Sequence, residues 1–232
     1  VSTEWFGWLD HDDVLNPRAF ELFSQELSEN PNTLVIYSDE DKIDGSDKHF
    51  ELYCKPDYSP ELLLTQMYLC HFTCFRTREV RAVGGFRPQF DGAQDFDLAL
   101  RLLPQLSADN VHHVPRPLYH WRAWAQSTAL TIEAKPWAQE ASARAQQDHL
   151  DRMAGGTVAA SSIPGLNEVH PAVPSPPLVS VIIPTAGAAN DQGRFVDAAV
   201  ASLHGHESSV PLEIIAVTTG EISPIDGVDT QV

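Results

Sequence analysis

Glu4 to Pro17 reads EWFGWLDHDDVLNP, an apolar run that breaks off into three carboxylates around one histidine: Asp10, His11, Asp12 and Asp13. Alternate side chains of a strand share one side, so Asp10 and Asp12 can converge on one ligand at the strand's carboxyl end, where open α/β sheets bind ligands. Two carboxylates at that spacing suit Mg2+ or Mn2+, hard cations that take a few carboxylate oxygens and leave other positions to water and phosphate. The same acids also suit a plainer use, capping and solvating a strand-to-helix turn, with Asp13 beside the helix expected near Pro17.

Further clusters bear on that choice. Tyr37 to Asp44, YSDEDKID, reads as a second acidic turn after a second strand and brings Asp39 and Asp41. Asp91 to Asp97, DGAQDFD, leads into a helix whose free amide end favours a carboxylate, and capping by Asp95 and support of the helix by Asp97 are the plain uses of these acids. Tyr119-His120-Trp121-Arg122 ends a late strand with a potential metal ligand, which equally reads as a buried hydrogen-bonded histidine, and with a guanidinium able to hold phosphate. Trp121, Trp124 and Trp137 can stack on a sugar or fill a core. Cys70, His71 and Cys74 allow a zinc site or, more plainly, two buried thiols beside a strand.

These residues need a scaffold of strands and helices in alternation. Apolar runs bounded by turn residues predict strands at Trp5–Leu9, Leu34–Tyr37, Phe72–Phe75, Val111–Val114 and Leu118–Trp121. Helices are predicted from Pro17 with Asn16 as cap, from Ser59 through Gln66, from Thr77 to Val83 ended by Gly84-Gly85, from Ala93 to Leu103, and from Lys135 to Met153. That alternation predicts an α/β layer architecture. Ala154 to Pro177 collects glycine, serine and five prolines and reads as a linker. Beyond it, a strand at Leu178–Pro184, a helix at Gly193–Leu203 and a strand at Leu212–Val217 make one βαβ unit. The expected organisation is therefore residues 1–153, a linker over 154–177, and residues 178–232.

Composition narrows the function classes. A net charge of −17 argues against a nucleic-acid groove or an anionic lipid surface, since both reward clusters of Lys and Arg, and leaves any peripheral membrane association to other regions. Residues 1–60 carry 14 Asp and Glu against 4 Lys and Arg, which suits a bound cation or a solvated surface. No window reaches the roughly 18 to 20 apolar residues of a membrane helix, and the first residues lack signal-peptide regions. Three cysteines without a disulfide spacing predict a reducing, cytoplasmic setting. The chain opens at Val1 directly into a strand, and a piece of a longer protein is the expectation.

In chain order, LDHDD, YSDEDKID, KPD-S-ELLL, VGGFR, DGAQD-D and YHWR resemble glycosyltransferase family 2 over residues 5 to about 150, closest to members that build bacterial surface polysaccharides. The resemblance implies a GT-A fold and inverting transfer of a sugar from a nucleotide-diphosphate donor to a glycan or lipid-linked acceptor, with Mn2+ or Mg2+. It implies Asp12 as metal ligand with His120, Asp10 near the ribose or the metal's water shell, and Asp95 as general base. Arg122 would contact the diphosphate, and Asp39 and Asp41 would shape the donor-sugar or acceptor pocket.

The chain also departs from that pattern. The family's opening βαβ unit, which begins VSVIIPT and holds the nucleotide base, does not precede Val1, while Val179 to Thr185 repeats it after the linker. The expectation is thus the later two thirds of one domain followed by the start of another. Docking of the tail unit, within a chain or between chains, would complete the sheet. Where the family commonly has a base-reading Asp, the tail reads Val217-Thr218-Thr219-Gly220. The alternatives are a non-catalytic glycan-binding or scaffold module and a metal-dependent phosphohydrolase, the latter disfavoured because no second ligand set for a two-metal site is evident.

Overall fold

A computed structural model describes residues 2–123, 136–163, 165–173, 175–191, 193–205 and 210–232. The chain divides into two compact units, Val1–Ala172 and Val173–Val232. The first is built on a six-stranded mixed sheet with flanking helices, in keeping with the α/β class expected.

In chain order its first elements are β1 (Trp5–Gly7), β2 (Val14–Leu15), α1 (Ala19–Glu29), β3 (Val35–Ile43) and β4 (His49–Tyr53). Then come α2 (Pro60–Thr65), β5 (Thr73–Arg76), α3 (Thr77–Ala82), α4 (Gln94–Leu102), β6 (Val111–Arg122) and α5 (Pro136–Arg152). The sheet runs β1-β5-β3-β6-β2, with β4 also on β3. Only β3 and β6 pair in parallel.

The largest departure from sequence expectation lies in β3. The acidic stretch Ser38 to Ile43, expected as a turn, continues the strand because β4 pairs with one of its edges and β6 with the other as far as Ile43. Asp39, Glu40 and Asp41 are buried there, and each has a partner of opposite or complementary chemistry. Nor do Pro115 and Pro117 split β6 in two. They fall where its register against β3 slips between Ser38 and Asp39, an irregularity that tolerates missing amide hydrogens.

Helix starts follow local chemistry. The Asn16 side chain accepts from the Arg18 amide, so α1 begins at Ala19, two residues later than Pro17. Ser59 caps α2 through the Leu62 amide. Gly84 and Gly85, at φ of +86° and +69°, take the left-handed conformation that ends α3. Ala141 and Ala145 are fully buried, so the small side chains of α5 allow close packing on the core that α4 also enters.

Two cores cover the sheet. Tyr37, Phe75, Phe96 and Leu98 belong to one; Phe23, Ile36, Phe72 and Tyr119 belong to the other. Within the stretch expected as a linker, β7 (Gly156–Ala160) and β8 (Asn167–Pro171) pair as an antiparallel hairpin inside the first unit. Its Asn167 side chain donates to Gln146 of α5.

The second unit contains β9 (Val179–Thr185), a small ladder of β10 (Ala189–Asn190) and β11 (Gly193–Arg194), α6 (Phe195–His204), β12 (Leu212–Thr218) and β13 (Thr230–Gln231). Strands β9 and β12 are parallel and joined through α6, as the sequence predicts, and the order β13-β12-β9 leaves β9 at the end. Val196, Val200, Ile214 and Ala216 form its core.

Candidate active site at the strand ends

Past β1 the chain turns through Asp10 to Asp13 before β2 begins. Among these carboxylates only Asp13 is tied down. The Tyr119 hydroxyl donates to its Oδ2, and the Arg122 amide donates to its Oδ1 at 2.7 Å. Burial pushes the Asp13 carboxyl above its ordinary value despite these donors, and burial together with the Asp13 contact pushes the Tyr119 hydroxyl up, so Tyr119 keeps its proton and donates. Asp10 is exposed and Asp12 half-exposed. Among the described residues neither carboxylate makes a hydrogen bond, and Asp12 has only a loose 3.7 Å contact with His11.

The backbone of this turn is held firmly. The Asp10 amide points to the Tyr119 oxygen at 3.3 Å, and Arg122 Nε donates to the Asp12 carbonyl at 2.9 Å. A second Arg122 nitrogen reaches Asp47 at 2.7 Å. The guanidinium expected to meet a diphosphate therefore braces the turn that presents Asp10 and Asp12.

Asp95 lies in the first turn of α4, where its Oδ1 accepts from the Phe96 amide at 2.8 Å. The N-cap position belongs to Ala93, so Asp95 is not the cap. Burial raises its pKa above the ordinary 3.8, a shift opposed by the charge of His71 and reinforced by that of Asp10. Asp97 plays the supporting part expected of it. Buried on α4, it accepts from Arg87 and Arg101, while Arg101 also donates to the carbonyls of Val83 and Gly85. Arg87 continues to Asp148 of α5 at 2.7 Å. Gly92, at φ +96°, lies so close to Trp137 that any Cβ would collide with the indole.

His71, which the sequence offers to a zinc site with Cys70 and Cys74, stacks on the Tyr119 ring, with centroids 4.6 Å apart. Cys70 Sγ points to the Met67 carbonyl and Cys74 is buried on β5, the plainer of the two readings. The turn carrying His71 is held by Lys55, a fully buried ammonium that donates to Glu40 Oε2 at 3.0 Å and to the carbonyls of Leu69 and His71. Nothing in the sequence pattern marked Lys55 and Glu40 as a pair, since 14 residues separate them and they meet only because β3 extends.

Asp39 accepts from the Lys55 amide at 2.9 Å and from His113 Nε2 at 2.8 Å. His120 and Asp41 lie elsewhere than Tyr119. Adjacent strand residues point to opposite faces, so Tyr119 and Trp121 share the face of His71, and His120 shares the other with Asp41. His120 Nδ1 is 2.6 Å from Asp41 Oδ1, and His49 Nδ1 is 2.9 Å from Asp41 Oδ2. Trp121 is partly buried against the core, and Trp137 packs over Gly92 while half-exposed. Trp124, and Lys135 at the expected start of α5, lie outside the described residues.

No family model matches the chain. It is 38% identical over 220 residues to an uncharacterized protein of Sinorhizobium fredii, y4gI, covering 94% of this chain and 24% of that protein. It is 31% identical over 221 residues to the O-antigen biosynthesis protein RfbC of Myxococcus xanthus, covering 95% of this chain and 17% of RfbC. Over 100 residues, 42% of this chain, it is 33% identical to a chondroitin synthase of Pasteurella multocida, of which 10% is covered. The chain thus spans a quarter or less of the length of these relatives. No helix among the described residues is long and apolar enough to cross a membrane.

Proposed function

We propose that this chain carries the metal and acceptor side of an inverting glycosyltransferase of the GT-A type, related to family 2, acting in polysaccharide synthesis. The observation that carries the reading is the Asp10–Asp12 turn, whose backbone is braced by Tyr119 and Arg122 while neither carboxylate makes a hydrogen bond among the described residues. Relatives named for O-antigen biosynthesis and for chondroitin and hyaluronan synthesis support it.

Asp10 and Asp12 would hold Mn2+ or Mg2+, an oxygen-ligand set that such cations accept. Bound there, the cation would neutralise the leaving nucleoside diphosphate. Asp95 takes the proton from the acceptor hydroxyl as that oxygen attacks the anomeric carbon from the side opposite the departing diphosphate, which inverts the configuration. Its burial makes it a stronger base than a solvated carboxylate. Lys55 and Glu40 fix the turn that keeps His71 against Tyr119. The donor is a nucleotide-diphosphate sugar and the acceptor a glycan or a lipid-linked glycan. The described cysteines are unpaired, which fits a reducing setting.

The proposal includes docking of a βαβ unit of the kind formed by residues 178–218, within a chain or between chains. β1 ends its sheet, an apolar groove of about 670 Å3 lined by Trp5, Phe20, Phe23 and Phe72 runs beside it, and β9 ends its own sheet with Val179 and Ile182 exposed. Solution scattering that requires the two units to stay apart at all concentrations would refute docking. The reading as a whole predicts metal-dependent binding of a nucleoside diphosphate that Asp12→Ala abolishes.

A further inference from the structure

The sheet face that carries His120 holds a second chemical cluster. Asp41, in the middle strand β3, lies directly across from His120 of β6, while β4 brings His49 from the other edge. Both histidines direct Nδ1 at the Asp41 carboxylate, one at each oxygen, and their rings meet edge to face with centroids 4.6 Å apart. One ligand atom from each residue lies within 4.8 Å of the others. Asp41 and His120 are buried, whereas the His49 side chain is 56% exposed, so water reaches the cluster from one side.

We propose that Asp41, His49 and His120 bind a transition-metal dication of the zinc class at a site separate from the Asp10–Asp12 turn. Two imidazole nitrogens and one carboxylate oxygen select such ions over Mg2+ and Ca2+, which take oxygen ligands. A tetrahedral ion about 2.0–2.2 Å from each ligand spaces the ligands by roughly 3.3–3.5 Å. The two Nδ1–carboxylate contacts, 2.6 and 2.9 Å, therefore open by less than an ångström to admit it, each neutral imidazole carries its proton on Nε2 instead of Nδ1, and water fills the fourth position. All three ligands sit on hydrogen-bonded strands, which hold the donor set in register before any ion arrives.

The site serves as a clamp. The ion ties β4 to β6 across β3 and steadies the β3–β4 hairpin, whose tip residue Asp47 pairs with Arg122. Arg122 in turn holds the Asp12 carbonyl, so the clamp firms the Asp10–Asp12 turn without touching a reacting group.

The test is Co2+ titrated into chelator-treated, tag-free protein and followed by visible ligand-field absorption, with no nucleotide or sugar present. The expected result is a four-coordinate spectrum that saturates at one equivalent, is displaced by Zn2+ but not by excess Mg2+, survives in Asp12→Ala and is lost in His49→Ala. His49 is the exposed ligand, and an unchanged circular dichroism spectrum of that variant shows that loss of the signal is loss of a ligand. No absorption, or absorption that persists in His49→Ala or vanishes in Asp12→Ala, overturns the proposal whatever the outcome for glycosyl transfer.

Discussion

Asp95, the proposed general base, illustrates at the residue scale how a desolvated carboxylate costs stability. Its folded pKa lies above the unfolded value of 3.8 because burial disfavours the carboxylate. The cost is fully present above the folded pKa and disappears as pH falls through the folded pKa towards 3.8. Asp95→Asn should therefore be more stable than the wild type at pH near 7, with the difference shrinking on acidification; urea denaturation at several pH values reads this directly. A variant less stable at neutral pH would mean that the carboxylate holds the fold together. Asp10, Asp12 and Asp95 stand out in the sequence because they fall in short acidic motifs at strand and helix ends, although such motifs also serve as caps and solvated turns. Lys55, His49 and His71 were not legible in their actual roles, because their partners lie far away in sequence and only the strand pairing brings them together.

At the scale of elements, β3 explains most of what the sequence concealed. An alternation of apolar and polar residues reads easily, but Ser38 to Lys42 is polar throughout and resembles a loop. The structure buries that segment because each acid is matched: Asp39 by His113, Glu40 by Lys55, Asp41 by two histidines. The Lys55–Glu40 pair is taken wholly out of water, so removing one partner strands the other charge. Lys55→Met should destabilise the chain by about 3–5 kcal/mol, measured by thermal or denaturant unfolding, and the Lys55→Met, Glu40→Leu double variant should recover a large part of that loss. A double variant whose loss equals the sum of the Lys55→Met and Glu40→Leu losses would show that the pair is not energetically coupled. The remaining elements were visible with shifted ends, since their apolar spacing and caps are local. The hairpin β7–β8 was hidden because its many glycines, serines and prolines resemble a linker.

The whole molecule is acidic, with a net charge of −17, and its long-range field opposes the approach of an anionic nucleotide. Under the proposed function, a cation held by Asp10 and Asp12 would reverse that opposition locally, so nucleotide affinity and metal occupancy should rise and fall together. The strand-helix-strand pattern near Val179 is legible in the sequence, whereas the boundary between the two compact units at Ala172 depends on how the β7–β8 hairpin packs, which no local pattern reveals. The most direct measurement is calorimetric titration of UDP, GDP and dTDP into the full chain with and without Mn2+, alongside Asp12→Ala. The account predicts that at least one nucleotide binds only with Mn2+ present and that Asp12→Ala abolishes the heat. Binding that ignores the metal or survives the substitution, or no binding to any of the three, contradicts it.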